Sequence, residues 1–128
     1  MTRISISATG RAPAALVWER YAKPALWSSW SPQISRVECA DEVIRVGTKG
    51  VVHTIVGITV PFDVTTVDYD GMTWGWTARL PLGVRLQLEH QVKAVPDGTW
   101  TGLDVSGCLP IVVGYLPPAK LALARLVR

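Results

Sequence analysis

Val84-Arg-Leu-Gln-Leu-Glu-His-Gln-Val-Lys93 alternates without a slip. Arg85, Gln87, Glu89, Gln91 and Lys93 take one side, and Val84, Leu86, Leu88, His90 and Val92 take the other. A period of two with one polar and one apolar set marks a strand whose faces meet water and core respectively. A strand of that kind belongs in an antiparallel sheet with one wet face, and its apolar face has to be covered by something. One inward position, His90, is not aliphatic.

Segments on both sides repeat the theme. Met72 to Leu80 places Trp74, Trp76, Ala78 and Leu80 together, with Thr73, Gly75, Thr77 and Arg79 opposite, and Asp70-Gly71 before it is a hairpin signal. Val60 to Asp68 sets Phe62 and Val64 against Asp63 and Thr65. Gly50 to Val56 reads as a strand stopped or kinked by Gly57, and Ile34 to Val37 starts another. Downstream, Pro96-Asp-Gly98 turns the chain into Thr99 to Ser106, with Leu103 and Val105 inward and Trp100 outward. Arg3 to Ala8 supplies a first strand.

Two helical regions remain. Ala12 to Tyr21 carries Pro13 in its first turn, where a missing N–H costs nothing, and an apolar side of Leu16, Val17, Trp18 and Tyr21. Pro24 closes it and opens a shorter piece through Leu26 and Trp27, which Pro32 ends. From Leu109 the chain reads as helix, broken near Pro117-Pro118 and resumed over Ala119 to Val127 with Leu123, Leu126 and Val127 on one side. The order predicts an α+β domain over residues 1–128. A curved antiparallel sheet is covered by the terminal helix, with two short helices after the first strand and space beneath the covering helix for a ligand.

Composition narrows the function. With 48% hydrophobic and 18% charged residues the chain is globular. The 13 basic residues against 10 acidic ones are scattered from Arg3 to Arg128 and form no stripe, which argues against nucleic acid as partner. Cys39 and Cys108 lack partners at metal-ligand spacing and read as reduced thiols of a cytoplasmic protein. The start, MTRISISATG, has no apolar signal-peptide core. The aliphatic tail is interrupted by Pro117, Pro118, Lys120 and Arg125, a poor membrane span. No Gly-rich phosphate loop, GxSxG or HExxH occurs, and no metal or cofactor is expected. Six tryptophans stand against a single phenylalanine. Indoles suit the walls of a container for flat guests as well as cores.

The series Ala12-Pro13, Trp18, Leu26-x-x-x-Trp30-Ser31-Pro32-x-Ile34-x-x-Val37-Glu38 and Val46-Gly47-Thr48 resembles the polyketide cyclase/dehydrase branch of the START/birch-pollen-allergen (SRPBCC) superfamily. Val64 to Asp68 (VTTVD), Trp76, His90, Gly98-Thr99 and Gly107 extend the resemblance across nearly the whole chain. It implies a helix-grip fold, a seven-stranded antiparallel sheet around a C-terminal helix with a hydrophobic cavity. Members bind lipids, hormones or polyketides, and some are cyclases or aromatases. The chain departs from that pattern in a short C-terminal segment with Pro117-Pro118 where unbroken helix is implied.

The candidate site follows from the inward faces. Phe62, Trp74, Trp76, Leu88 and His90 are expected to line a cavity, with Tyr115 from the terminal helix. Trp27 and Trp30, in the serine-rich connector Trp27-Ser-Ser-Trp30, are expected at its lip. His90 is the one candidate for acid/base chemistry, since a desolvated imidazole can donate or accept a proton; otherwise it is a core histidine held by a carbonyl or by a hydroxyl such as that of Tyr115. Thr66 and Thr101 are further inward polar groups. His53 has no assignable face, because Val51 and Ile55 oppose Val52, Thr54 and Val56 with equal apolarity. Asp63, Glu89 and Asp104 fall on the wet face, so no carboxylate pair supports hydrolytic chemistry. Binding of a hydrophobic or aromatic small molecule is the first reading. The others are a polyketide cyclase using His90, and a homodimer or interaction module with a filled core that meets its partner through Trp100.

Overall fold

The computed structural model describes residues 2–128. Seven strands form one antiparallel sheet: β1 (Thr2–Gly10), β2 (Ile34–Cys39), β3 (Lys49–Thr54), β4 (Thr59–Asp68), β5 (Thr73–Arg79), β6 (Arg85–Val95) and β7 (Gly98–Gly107). Their order is β1-β7-β6-β5-β4-β3-β2, so each of β2 to β7 lies beside its chain neighbour and β1 closes onto the last strand. Helix α1 (Ala14–Ala22), a 3₁₀ turn at Pro24–Leu26 and the one-turn helix α2 (Trp27–Trp30) join β1 to β2. Helix α3 (Leu109–Leu126) crosses the concave side. It is long and apolar enough by length and composition to cross a membrane. Here its Ala119, Ala122, Leu123 and Leu126 are buried in the core instead.

The alternation of β6 holds. Leu86, Leu88, His90 and Val92 are buried while Arg85, Gln87, Glu89 and Lys93 are exposed. Trp100 lies on the outer face, as alternation predicts, beneath the Lys93 ammonium (5.2 Å from the ring centre) and over Gly102, where a Cβ would meet its ring. β4 corrects one expectation. A bulge between Val64 and Thr66 reverses the alternation, so Phe62 and Val64 point in, Val67 packs on the core, and Thr66 is exposed. Strand β3 stops at Thr54, earlier than expected, and Ile55 to Gly57 form the following turn. In α1, Val17, Trp18 and Tyr21 are buried but Leu16 is 39% exposed.

The larger correction concerns α3, which runs through Pro117 and Pro118 without a break. The two prolines leave the carbonyls of Val113 and Gly114 without an intrahelical donor. Both of those residues are exposed, so water can serve them. Burial of Val112 on one side of the prolines and of Ala119, Leu123 and Leu126 on the other holds the helix down.

The C-terminal end of α3 is tied to the β1–α1 junction at very close range. The Val127 carbonyl accepts a hydrogen bond from the Ala12 N–H at 3.0 Å. Thr99 Oγ1 donates to the Ala12 carbonyl at 2.6 Å, and Arg20 donates to the Leu126 carbonyl at 2.5 Å. A Cβ on Gly10 would lie 2.1 Å from the Val127 oxygen, and one on Gly98 would lie 1.9 Å from the Gly10 oxygen. Gly10→Ala is therefore expected to lose about 1–3 kcal/mol of stability in urea unfolding. Gly114→Ala, where a Cβ meets nothing within 4 Å on an exposed helical turn, should gain about 0.5–1 kcal/mol. Equal stability of the two variants would remove the close approach as the constraint on α3.

Candidate functional site

Between the concave face and α3 lies a cavity of about 280 Å³. Its floor is built from cross-strand rows. Trp74 of β5 faces His90 of β6, which faces Leu103 of β7; one step along, Trp76 faces Leu88; beyond them Ala78 faces Leu86. The roof is one side of α3, Ile111, Tyr115, Ala119, Ala122 and Leu123. Ile111, Tyr115 and Ala119 follow at four-residue steps, and Ala122 and Leu123 lie three and four residues further on, which is a helical stripe. A helix expected to break at Pro117 hid that stripe from the sequence reading.

Trp27 and Trp30 both line the cavity but do not form its lip. They are 1% and 8% exposed. In a single helical turn positions i and i+3 share a face, so the two indoles turn inward together and Ser28 and Ser29 face water. Each indole N–H is satisfied by α1, Trp27 donating to the Tyr21 carbonyl (2.9 Å) and Trp30 to the Arg20 carbonyl (3.1 Å). The half-buried lining residues are Gln33 and Ile34 before and in β2, Thr54 closing β3, Trp76 in β5 and Leu80 after it, with Ile111 and Tyr115 on α3. Phe62 does not reach the cavity. It packs behind the wall, 5.2 Å from Trp27 and 5.4 Å from Trp76 between ring centres.

The indoles form a continuous aromatic wall. Trp74 and Trp76 stack at 6.0 Å and 14°, and Trp27 lies 5.5 and 5.4 Å from them. His90 extends the wall, stacked on Trp74 at 4.5 Å and 10°. Its Nε2 accepts a hydrogen bond from the Trp76 indole N–H at 3.1 Å, which leaves the ring proton on Nδ1. Neither a carbonyl nor Tyr115 holds it. Nδ1 has no partner among the described residues, nor has the Trp74 indole nitrogen. Burial at 4% exposure pushes the His90 pKa down to about 3, so the ring is neutral at physiological pH. Burial also pushes the Tyr115 phenol up to about 12. Tyr21, which sequence reasoning assigned only to the helix core, packs against His90 at 4.7 Å and spends its hydroxyl on Thr101 (2.7 Å).

His53 lies outside this site. The inward positions of β3 are Val52 and Thr54, and His53 Nε2 sits 3.0 Å from the Glu38 carboxylate on the other face. Asp63 pairs with Arg79 and Asp104 with Arg3 on the outer face, away from the cavity. Among the described residues no group of three His, Cys, Asp or Glu side chains could hold a metal ion.

Residues 1–127 match the family model described as polyketide cyclase / dehydrase and lipid transport. No curated protein sequence matches the chain. Among solved structures, Ara h 8.0201 is similar with a TM-score of 0.72 at 14% identity, over 98% of this chain and 97% of that one. A hypothetical protein from Helicobacter pylori gives 0.82 at 12% identity, over 98% and 86%. A protein from Nitrosospira multiformis gives 0.76 at 16%, over 98% and 94%. At such identities the likeness is one of fold, and the fold is the helix grip.

The buried imidazole makes stability depend on pH. The unfolded chain takes up a proton near 6.5 and the folded chain only near 3, so between those values the unfolded state binds more protons and stability falls with falling pH. The expected loss between about pH 6.5 and 5 is roughly 1.5 kcal/mol, above the range where carboxylates titrate. His90→Gln should remove that slope in urea denaturation at the two pH values. The same slope in both proteins would contradict a buried neutral His90.

Proposed function

Because the chain belongs to the polyketide cyclase / dehydrase and lipid transport family, we propose that it binds a hydrophobic, ring-bearing small molecule in the cavity beneath α3. The observation that carries this reading is the wall itself: about 280 Å³ of space faced by four indoles and by aliphatic side chains, with few polar groups to solvate a charge. That volume is near the lower end of small-molecule pockets, about 300–1,000 Å³. Flat aromatic walls favour flat guests through stacking and edge contacts. A filled core, the basis of the interaction-module reading, does not match a hollow of this size.

A cyclase or aromatase using His90 shares both the family and the cavity. General base catalysis works best with a pKa near the operating pH. His90 has been driven far below it, and its basic nitrogen already accepts from Trp76. The ring keeps a proton to donate in a hydrogen bond but has little capacity to take one up. Binding is therefore the reading the geometry supports better.

The neutral fluorophore N-phenylnaphthylamine should bind the protein, brighten, and quench tryptophan emission. Ala122→Phe places a ring into the roof of the cavity. It should weaken binding at least tenfold with stability held or raised, because it fills space without straining the surface. Undiminished binding to a folded Ala122→Phe protein would exclude the cavity as the site.

A further inference from the structure

The two ends of the sheet differ in chemistry. At one end lie the β3–β4 turn (55–58), the β5–β6 turn (80–84) and the start of α3, for the register sets Ile34 beside Thr54, Arg79 beside Arg85 and Thr2 beside Gly107. Ile55, Val56, Ile58, Leu82, Leu109 and Val113 are all exposed there, Val56 at 74% and Leu82 at 100%. No Asp, Glu, Lys or Arg occurs from Gly50 to Phe62, from Leu80 to Val84 or from Val105 to Ala119. The turns at the opposite end carry Asp41, Glu42, Arg45, Asp70 and Asp97, so the exposed Val43 and Val46 there stand among charges. Nothing in the fold calls for a leucine at position 82. Its φ of 65° is left-handed backbone, which favours Gly or Asn, and its side chain, wholly in solvent, buries nothing to offset the cost. Several backbone groups of the turns are already paired: the Thr54 N–H donates to the Ile58 carbonyl (3.0 Å), the Ile55 N–H to the Gln33 carbonyl (3.0 Å) and the Leu80 N–H to the Val84 carbonyl (2.7 Å). Moving these tips into an apolar phase leaves those groups satisfied. Arg85, the exposed residue after the 80–84 turn, has no carboxylate partner among the described residues, whereas Arg3, Arg36 and Arg79 toward the same end are each paired.

We propose that this end of the sheet docks on the surface of a phospholipid bilayer, with the aliphatic tips of the three segments set among the headgroups and Arg85 against anionic lipid. The inference does not depend on what the cavity holds. Charge placement selects the occupant. A bilayer interface excludes charged side chains from the inserted part and rewards a cation at headgroup level, and the acidic turns lie at the other end of the strands. A second copy docked through the same end would offer Arg85 no acid, because these segments contain none. The tips also come from three separate elements, and a fluid interface receives them one by one without a matching rigid surface. Leu82 gains only where its side chain leaves water. The docking is peripheral. Helix α3 joins through its first turns alone, since Ala119, Ala122, Leu123 and Leu126 stay in the core.

The wild-type protein should sediment with vesicles of mixed phosphatidylcholine and phosphatidylglycerol. Leu82→Asp and Val56→Asp should each weaken that partitioning about tenfold, while Val46→Asp, the same kind of change at the far end, should leave it as it is. Asp tolerates left-handed backbone, so the Leu82 variant keeps its turn. Arg85→Gln should lower partitioning about fivefold on the mixed vesicles and not at all on pure phosphatidylcholine. In wild-type protein, bicelles with a spin label at headgroup level should broaden the amide resonances of residues 55–58 and 82–84 and leave those of 41–46 sharp, a readout that needs no variant. Wild-type protein that stays in solution with mixed vesicles, equal partitioning of the Leu82 and Val46 variants, or broadening that extends over 41–46 overturns the inference. So does a wild-type dimer that Leu82→Asp turns into a monomer, which assigns the face to a second copy. N-phenylnaphthylamine binding without vesicles decides the cavity reading separately.

Discussion

The carbonyl of Val127 and the missing side chain of Gly10 fix where α3 lies. The helix end approaches the β1–α1 junction so closely that a single added methyl would occupy the space of the Val127 oxygen. Ala12, Thr99 and Arg20 then bind this junction and the last carbonyls of the helix with hydrogen bonds. Each such bond adds only about 1 kcal/mol net. Their importance is positional: they set the height and direction of α3 over the sheet, and a cationic side chain at a helix C-terminus also suits the helix dipole. Without that anchor the concave face of β5, β6 and β7 has no roof.

The hollow survives because its walls cannot collapse. Large flat rings line the floor and one end, while alanines at positions 78, 119 and 122 leave room in front of them. Trp27 and Trp30 are tied by their N–H groups to α1, and Trp76 is tied to His90, so three of the four indoles are held in orientation. An apolar hollow forfeits packing energy on the order of several kcal/mol at this size. A chain that keeps one forgoes stability it would gain with larger residues at positions such as Ala122. The aromatic wall is thus a local departure from the close packing that governs the rest of the core.

Much of this was readable in the sequence, and the parts that were not have identifiable causes. The alternation of Val84 to Lys93 placed Leu86, Leu88 and His90 correctly because a one-residue slip would bury Arg85 and Glu89. Trp74 and Trp76 followed for the same reason. Thr66 was misread because a bulge leaves no clear mark in a run of threonine and valine. The indoles of Trp27 and Trp30 were expected at a lip because serines surround them. Their i, i+3 spacing, not their neighbours, decided their burial. Phe62 shares the inward face but not the cavity, since Trp27 and Trp76 stand in front of it, an arrangement only three dimensions specify. The Trp76–His90 hydrogen bond depends on a diagonal between adjacent strands and was likewise invisible.

The uninterrupted course of α3 through two prolines has a mechanical side. A helix transmits force through its ladder of backbone bonds, and this ladder lacks two adjacent rungs at its middle. The half after the prolines is wedged into the core through Ala119, Ala122, Leu123 and Leu126, and the half before them is mostly solvent-facing yet supplies Ile111 and Tyr115 to the cavity roof. The two missing rungs fall between the segment that carries Ile111 and Tyr115 and the segment that closes the back, so the side-chain packing of Val112 and Ala119, and not the backbone ladder, keeps the two in line.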